Sequence, residues 1–132
     1  MKILPEDVID NIKLSYIKES PIHGYGLFAE QEIDEGVVLG VLDGQIIPWK
    51  LHSKYHLTLE WNAIDADTLL VRPYRTKYSY INHQCESNLI LMRDPLRVVT
   101  LRRISKGEEM TLDYRNEPLS PEYIESSGKF YL

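Results

Sequence analysis

Tyr80-Ile81-Asn82-His83-Gln84-Cys85-Glu86-Ser87-Asn88 opens the stretch on which the reading of this chain turns, and Gly107-Glu108-Glu109-Met110-Thr111-Leu112-Asp113-Tyr114 closes it. Two apolar runs, residues 89–92 and 96–101, lie between these blocks. The first block gathers side chains that can hydrogen-bond inside a fold: Asn82, His83, Gln84, Asn88 and the one cysteine, Cys85. The second ends in Tyr114 beside Asp113. Such groups are costly to bury unless partnered, so a chain that sets them between apolar strands builds either a polar network or a site.

The flanks read as short strands and turns. Residues 89–92 and 97–101 are expected strands turned by Asp94-Pro95, and residues 110–112 a last strand after the turn Ser105-Lys106-Gly107. Upstream, residues 5–12 carry Pro and acids where a short helix would start. Residues 13–18 alternate as a first strand, and residues 27–29 form a second. Residues 37–42 suggest a buried strand, Asp43-Gly44 a hairpin turn and residues 45–47 its return. The region 48–78 is the least regular, with strand-like alternation at 57–61, a second hairpin over 63–71 and one helical turn over 74–80. Ser120 can cap, and Pro121 can begin, a brief helix over 119–123. Many short strands, frequent turns and little helix make a small mostly-β fold, not a doubly wound α/β one.

At 132 residues, with a formal net charge of −5, the chain is long enough for one domain and one core. The acidic balance gives no support to nucleic-acid binding, which rewards Lys and Arg, and suits a basic peptide partner. One cysteine allows no internal disulfide and fits a reducing, intracellular compartment. Residues 1–10 lack the apolar core of a signal peptide, and no apolar run reaches membrane-spanning length.

Asn82-His83-x-Cys85-x-x-Asn88 followed by Gly107-Glu108-Glu109-x-Thr111-x-Asp113-Tyr114 resembles the signature pair of SET-domain protein lysine methyltransferases. Ser20-Pro21-Ile22-His23-Gly24-Tyr25-Gly26-Leu27-Phe28-Ala29 resembles the Gly-x-Gly entry segment of that family. The three motifs stand in the family's order over a core of residues 20–114, leaving a tail of 115–132. The resemblance implies the SET β-clip, with a pseudoknot near the C-terminus where residues 80–88 and the chain after Tyr114 cross. It also implies a protein-lysine N-methyltransferase using S-adenosylmethionine, with a lysine-bearing protein or peptide, a histone tail among the candidates, as substrate. The alternative class is a non-catalytic SET-like module that binds cofactor or peptide without transfer.

The chemistry sets the requirements. A free lysine has a pKa of about 10.4, so its amine must be desolvated and deprotonated before it can attack a methyl group. Alignment of nitrogen, methyl carbon and sulfur can supply about 7–11 kcal/mol of the barrier reduction, leaving little acid–base work. By resemblance, Tyr114 supplies the hydroxyl at the methyl-transfer centre. Gly24, Tyr25, Gly26, Tyr80, Asn82 and His83 hold the cofactor. Phe130 closes over it, while Leu112 and Tyr131 border the lysine channel. On residue chemistry alone, Tyr114 also fits a packed strand-end tyrosine, and Asn82 and His83 fit a polar network locking crossing segments. The tail could instead pack on a second copy of the chain.

Leu112 offers no hydroxyl to hold a water, which implies di- or trimethyllysine as product. Cys85 reads as a small core residue, since four ligands for zinc are not in evidence around His83. Several positions depart from the family pattern. Ser79 and Tyr80 stand for its Arg-Phe, Gln84 and Ser87 for its Ser and Pro, Leu42 for its strand Tyr and Leu112 for its Phe. No zinc-binding cysteine clusters flank the motifs. These changes touch the lysine channel more than the cofactor contacts.

Overall fold

A computed structural model describes residues 8–55 and 59–126, and among these alternating apolar residues and tight turns build ten short strands. They form three sheets. The first has the order β1 (Ser15–Glu19), β2 (Tyr25–Ala29), β10 (Glu109–Leu112), β7 (Asn82–His83). The second runs β3 (Val38–Val41), β9 (Arg97–Thr100), β8 (Leu89–Met92). The third runs β4 (Gln45–Pro48), β6 (Thr68–Arg72), β5 (Glu60–Ala63). The mostly-β class expected from the sequence is what the chain adopts.

Strand alternation sorts the core. Leu27 and Ala29 of β2, Leu39 of β3, Leu89 of β8, Val98 of β9 and Met110 of β10 are buried together with Ile12 and Ile104. On β6, Leu69 and Val71 join Ile47 and Ala63 in a second cluster, while Leu70 packs against the main core. A period of two thus lets one strand serve two apolar layers. Trp49, Trp61 and Leu119 cover the second cluster.

The expected hairpin at β8–β9 forms, and Ser120 caps α2 (Pro121–Ser126) by accepting from Tyr123 N–H at 3.1 Å; the hairpin expected over 63–71 forms earlier in the chain, as β5 with β6, and residues 64–67 are its turn. Four other expectations fail. Residues 8–12 are not helical: Ile9 donates to the Arg75 carbonyl and accepts from Lys77 N–H, an isolated bridge that takes its backbone groups. Residues 5–7 lie outside the described residues. The strands on either side of Asp43-Gly44 do not pair, since β3 pairs with β9 and β4 with β6. A Cβ on Gly44 would lie 2.3 Å from the Val71 carbonyl oxygen, and this close approach carries the chain into the third sheet. Residues 37–42 are buried on one face only, with Val38 and Val41 exposed. The supposedly irregular 48–78 region contains α1 (Trp49–Tyr55), which amphipathic counting over so short a span did not reveal.

Candidate functional site

The two polar motifs meet as neighbouring strands. β7 runs parallel to β10, with Asn82 opposite Thr111 and His83 opposite Leu112, and Gln84 N–H donates to the Leu112 carbonyl at 3.0 Å. Asn88, only 2 % exposed, locks this arrangement. Its oxygen accepts from Thr111 N–H at 2.9 Å, and its amide donates to the Glu109 carbonyl at 2.8 Å. A buried carboxamide matched on both sides holds backbone that would otherwise be left unpaired.

The entry segment is tied to the same strands through Glu109. The Ser20 hydroxyl donates to both carboxylate oxygens at 2.7 and 2.9 Å, and Asn82 Nδ2 donates to Oε2 at 2.9 Å. Asn82 Nδ2 also lies 3.1 Å from the His23 carbonyl and 3.2 Å from that of Tyr25, clamping the loop that carries Gly24. A Cβ on Gly26 would sit 2.4 Å from Glu109 Oε2, so glycine there is a condition of the network. Among the described residues, the Asn82 carboxamide oxygen carries no hydrogen bond. An acceptor beside bent, carbonyl-rich backbone suits the ammonium end of an amino acid, so the residues fit the methionine part of S-adenosylmethionine.

Tyr114 follows β10 in a 3-10 turn, Tyr114–Asn116, capped by Asp113. Its N–H donates to His83 Nδ1 at 3.0 Å, and the two rings lie 5.1 Å apart. Its phenol donates to the Ile81 carbonyl. Burial pushes the Tyr114 phenol up to about 12, so it stays neutral and serves as a hydrogen-bonding group, not as a base, near neutral pH. The Arg115 guanidinium holds the Asp113 carboxyl below its ordinary value.

Beside Tyr114 opens a cavity of about 240 Å³ whose walls include Trp61, Tyr78, Tyr123, Asn62 and Glu117. Trp61 and Tyr123 meet edge to face, 5.3 Å apart at 85°. Burial raises the Tyr78 phenol well above its ordinary value, and a hydrogen bond with the Asn62 side chain pulls it slightly the other way. Glu60, also on this wall, pairs at 2.5 Å with Arg72 behind it and takes the Thr76 N–H and hydroxyl. Thr76 in turn caps the 3-10 turn Lys77–Tyr80 that carries Tyr78 and leads into Ile81.

The fold therefore groups Tyr25, Gly26 and Asn82 on one network, and His83 with Tyr114 on another. Tyr80 ends the turn Lys77–Tyr80, with the Arg75 guanidinium 6.0 Å over its ring. Leu112, 2 % exposed, belongs to the main core and borders a smaller cavity of about 100 Å³ alongside Glu117, not the aromatic one. Cys85 is exposed, 4.0 Å from His83 Nε2, and not the core residue expected of it, because it sits on the short loop leaving β7. Phe130 and Tyr131 lie outside the described residues. Sequence reasoning missed Trp61, Tyr78, Tyr123 and Glu117. The available signals were the strand around Trp61, the tyrosine-rich turn and the helix over 119–123, but nothing in their spacing showed that they converge.

The family described as SET domain matches residues 24–115. The chain is 31 % identical over 113 residues to "Histone-lysine N-methyltransferase 2B" of Homo sapiens, covering 75 % of this chain and 4 % of that protein. It is 30 % identical over 114 residues to "Histone-lysine N-methyltransferase trithorax" of Drosophila virilis, covering 73 % and 3 %. Against "Histone-lysine N-methyltransferase 2D" of Homo sapiens the identity is 29 % over 119 residues, covering 76 % and 2 %. The chain thus spans only a few per cent of the length of these curated relatives.

Proposed function

Because this chain belongs to the SET-domain family, we propose that it transfers a methyl group from S-adenosylmethionine to a lysine side chain of a protein. The observation that carries the reading is the Tyr114 phenol, bonded to the Ile81 carbonyl and lining an aromatic cavity beside the Asn82–His83 strand. When bound, the cofactor supplies a methyl group on a sulfonium. Gly24, Tyr25, Gly26, Tyr80, Asn82 and His83 would hold it, with Asn82 Oδ1 accepting from its ammonium. Trp61, Tyr78 and Tyr123 would enclose the lysine stem, excluding water and offering ring faces to a cation, a contact worth about 0.5–2 kcal/mol. Tyr114, with its proton on Ile81, would present oxygen to the amine and the methyl hydrogens. Nothing in this set needs a metal ion.

The relatives are named for histone lysines, and an acidic chain of net charge −5 suits a basic peptide, so an intracellular protein such as a histone is the substrate class proposed. Tail residues Phe130 and Tyr131 are proposed to complete the cofactor and lysine sites. Leu112 packs in the main core and does not line the aromatic cavity, so the number of methyl groups added is not assigned to it.

The test is calorimetry with S-adenosylmethionine, followed by mass spectrometry of a lysine-bearing histone-tail peptide after long incubation. Saturable binding and peptide mass gains in methyl steps are expected. Absence of binding to folded protein would overturn the reading.

A further inference from the structure

A lysine reaches the cavity as an ammonium ion, and it cannot attack until one proton has left. The three phenols on the cavity wall are poor recipients. Tyr114 is pushed up to about 12, and burial raises Tyr78 and Tyr123 as well, so all three are neutral donors near pH 7. Two carboxylates remain, Glu60 and Glu117. Glu60 is engaged by Arg72, by the Thr76 N–H and hydroxyl, and by the Ser79 hydroxyl. Glu117 is different. One of its oxygens, Oε2, accepts from Arg93 Nη2 at 3.1 Å, and among the described residues Oε1 carries no hydrogen bond. Its backbone is fixed close to Tyr114, since Glu117 N–H donates to the Tyr114 carbonyl at 3.1 Å and Leu119 N–H returns to the Glu117 carbonyl at 2.8 Å.

We propose that Glu117 is the proton acceptor for the substrate ammonium in this cavity. The inference rests on the methyltransferase reading above. In the step, one N–H bond of the ammonium breaks and its electron pair stays on nitrogen. The proton bonds to Glu117 Oε1, giving a neutral amine and a neutral carboxylic acid. The side chain is 11 % exposed, so the proton then passes to solvent before another ammonium, methylated or not, gives up its own.

The surroundings favour the exchange. Burial raises the Glu117 carboxyl above its ordinary value, against the pull of Arg93, while burial of the amine lowers the amine's own pKa. The gap between the two groups therefore narrows from both sides. The charged and titratable groups around Glu117 are Arg93 after β8, Tyr78 before β7, Glu60 on β5, Tyr114 and Asp113 after β10, and Tyr123 on α2.

The test is the pH dependence of kcat at saturating peptide. The wild-type rate should fall on the acid side as Glu117 is protonated. Glu117→Gln should lose that limb and lower kcat at neutral pH by about 10²-fold or more, with cofactor affinity unchanged within a few-fold. A peptide carrying S-aminoethylcysteine in place of lysine has a less basic amine and should recover part of the loss. Arg93→Gln removes the group that holds the carboxyl down, so its acid limb should move to higher pH. This second variant decides the matter if Glu117→Gln does not fold. Wild-type turnover with an unchanged limb in Glu117→Gln, or an unmoved limb in Arg93→Gln, overturns the inference alone. Absence of wild-type transfer and of cofactor binding overturns the parent reading.

Discussion

Glu60→Gln is the most informative perturbation of the scaffold behind the site. Glu60 and Arg72 are 8 % and 4 % exposed, and Arg72 also donates to Asn62 Oδ1 at 2.5 Å and to the Asp43 carbonyl at 2.9 Å. Glutamine keeps the size of the side chain but removes the charge. It also turns an N–H₂ group toward either Arg72 or the Thr76 and Ser79 donors, so at least one donor faces another. Breaking a buried ion pair from one side costs about 3–5 kcal/mol, because the remaining charge stays in a low-dielectric site. At about 2.1 cal/mol/K per residue, 132 residues give an unfolding entropy of roughly 280 cal/mol/K, so Tm should fall by about 11–18 °C. Differential scanning calorimetry with a urea titration measures this directly. The double replacement Glu60→Met with Arg72→Met should recover much of the loss, since an apolar pair leaves no orphaned charge. A Glu60→Gln loss below about 1 kcal/mol would refute the reasoning and place the pair in effective contact with water.

Three further outcomes are expected. Tyr114→Phe should lower single-turnover methyl transfer at least about 10²-fold, or about 2.7 kcal/mol, with calorimetric cofactor affinity within a few-fold; near-normal turnover would reduce Tyr114 to packing. Gly26→Ala should push the Glu109 carboxylate off Ser20 and Asn82, costing about 1–3 kcal/mol in thermal melts and weakening cofactor binding several-fold, whereas unchanged binding would detach that network from the cofactor. Asp113, held low by Arg115, contributes stability that is fully present above its unfolded pKa of about 3.9 and lost as pH falls through the lower folded value. Asp113→Asn should therefore be less stable than wild type at pH 7 and converge with it in acid, and parallel melting curves across pH would show that the pairing with Arg115 contributes nothing.

Much of the fold was legible because it is written in local patterns. The β8–β9 hairpin follows from two apolar runs around Asp94-Pro95, and the start of α2 from Ser120 followed by Pro121. The fold class and the family follow from three ordered motifs, which need no geometry to be read. The hairpin wrongly expected at Asp43-Gly44 shows where local reading stops. A turn sequence states that the chain bends, but the partner of each strand depends on residues far away, here Val71 and Val99.

The sequence alone determined the order of the motifs, the mostly-β class and the presence of Asn82, His83 and Tyr114 as chemically capable groups. It also determined the polar character of the strand junction. Tertiary structure decided which groups share a cavity. Trp61, Tyr78, Tyr114, Glu117 and Tyr123 come from separate elements, and only the packing of β5, two 3-10 turns and α2 brings them together. It likewise decided that Leu112 points into the core and that Glu60, not Glu117, is taken by Arg72. Residue type sets what a side chain can do. Burial and the neighbours that supply or withhold hydrogen bonds set what it does, and those depend on long-range contacts that no local pattern encodes.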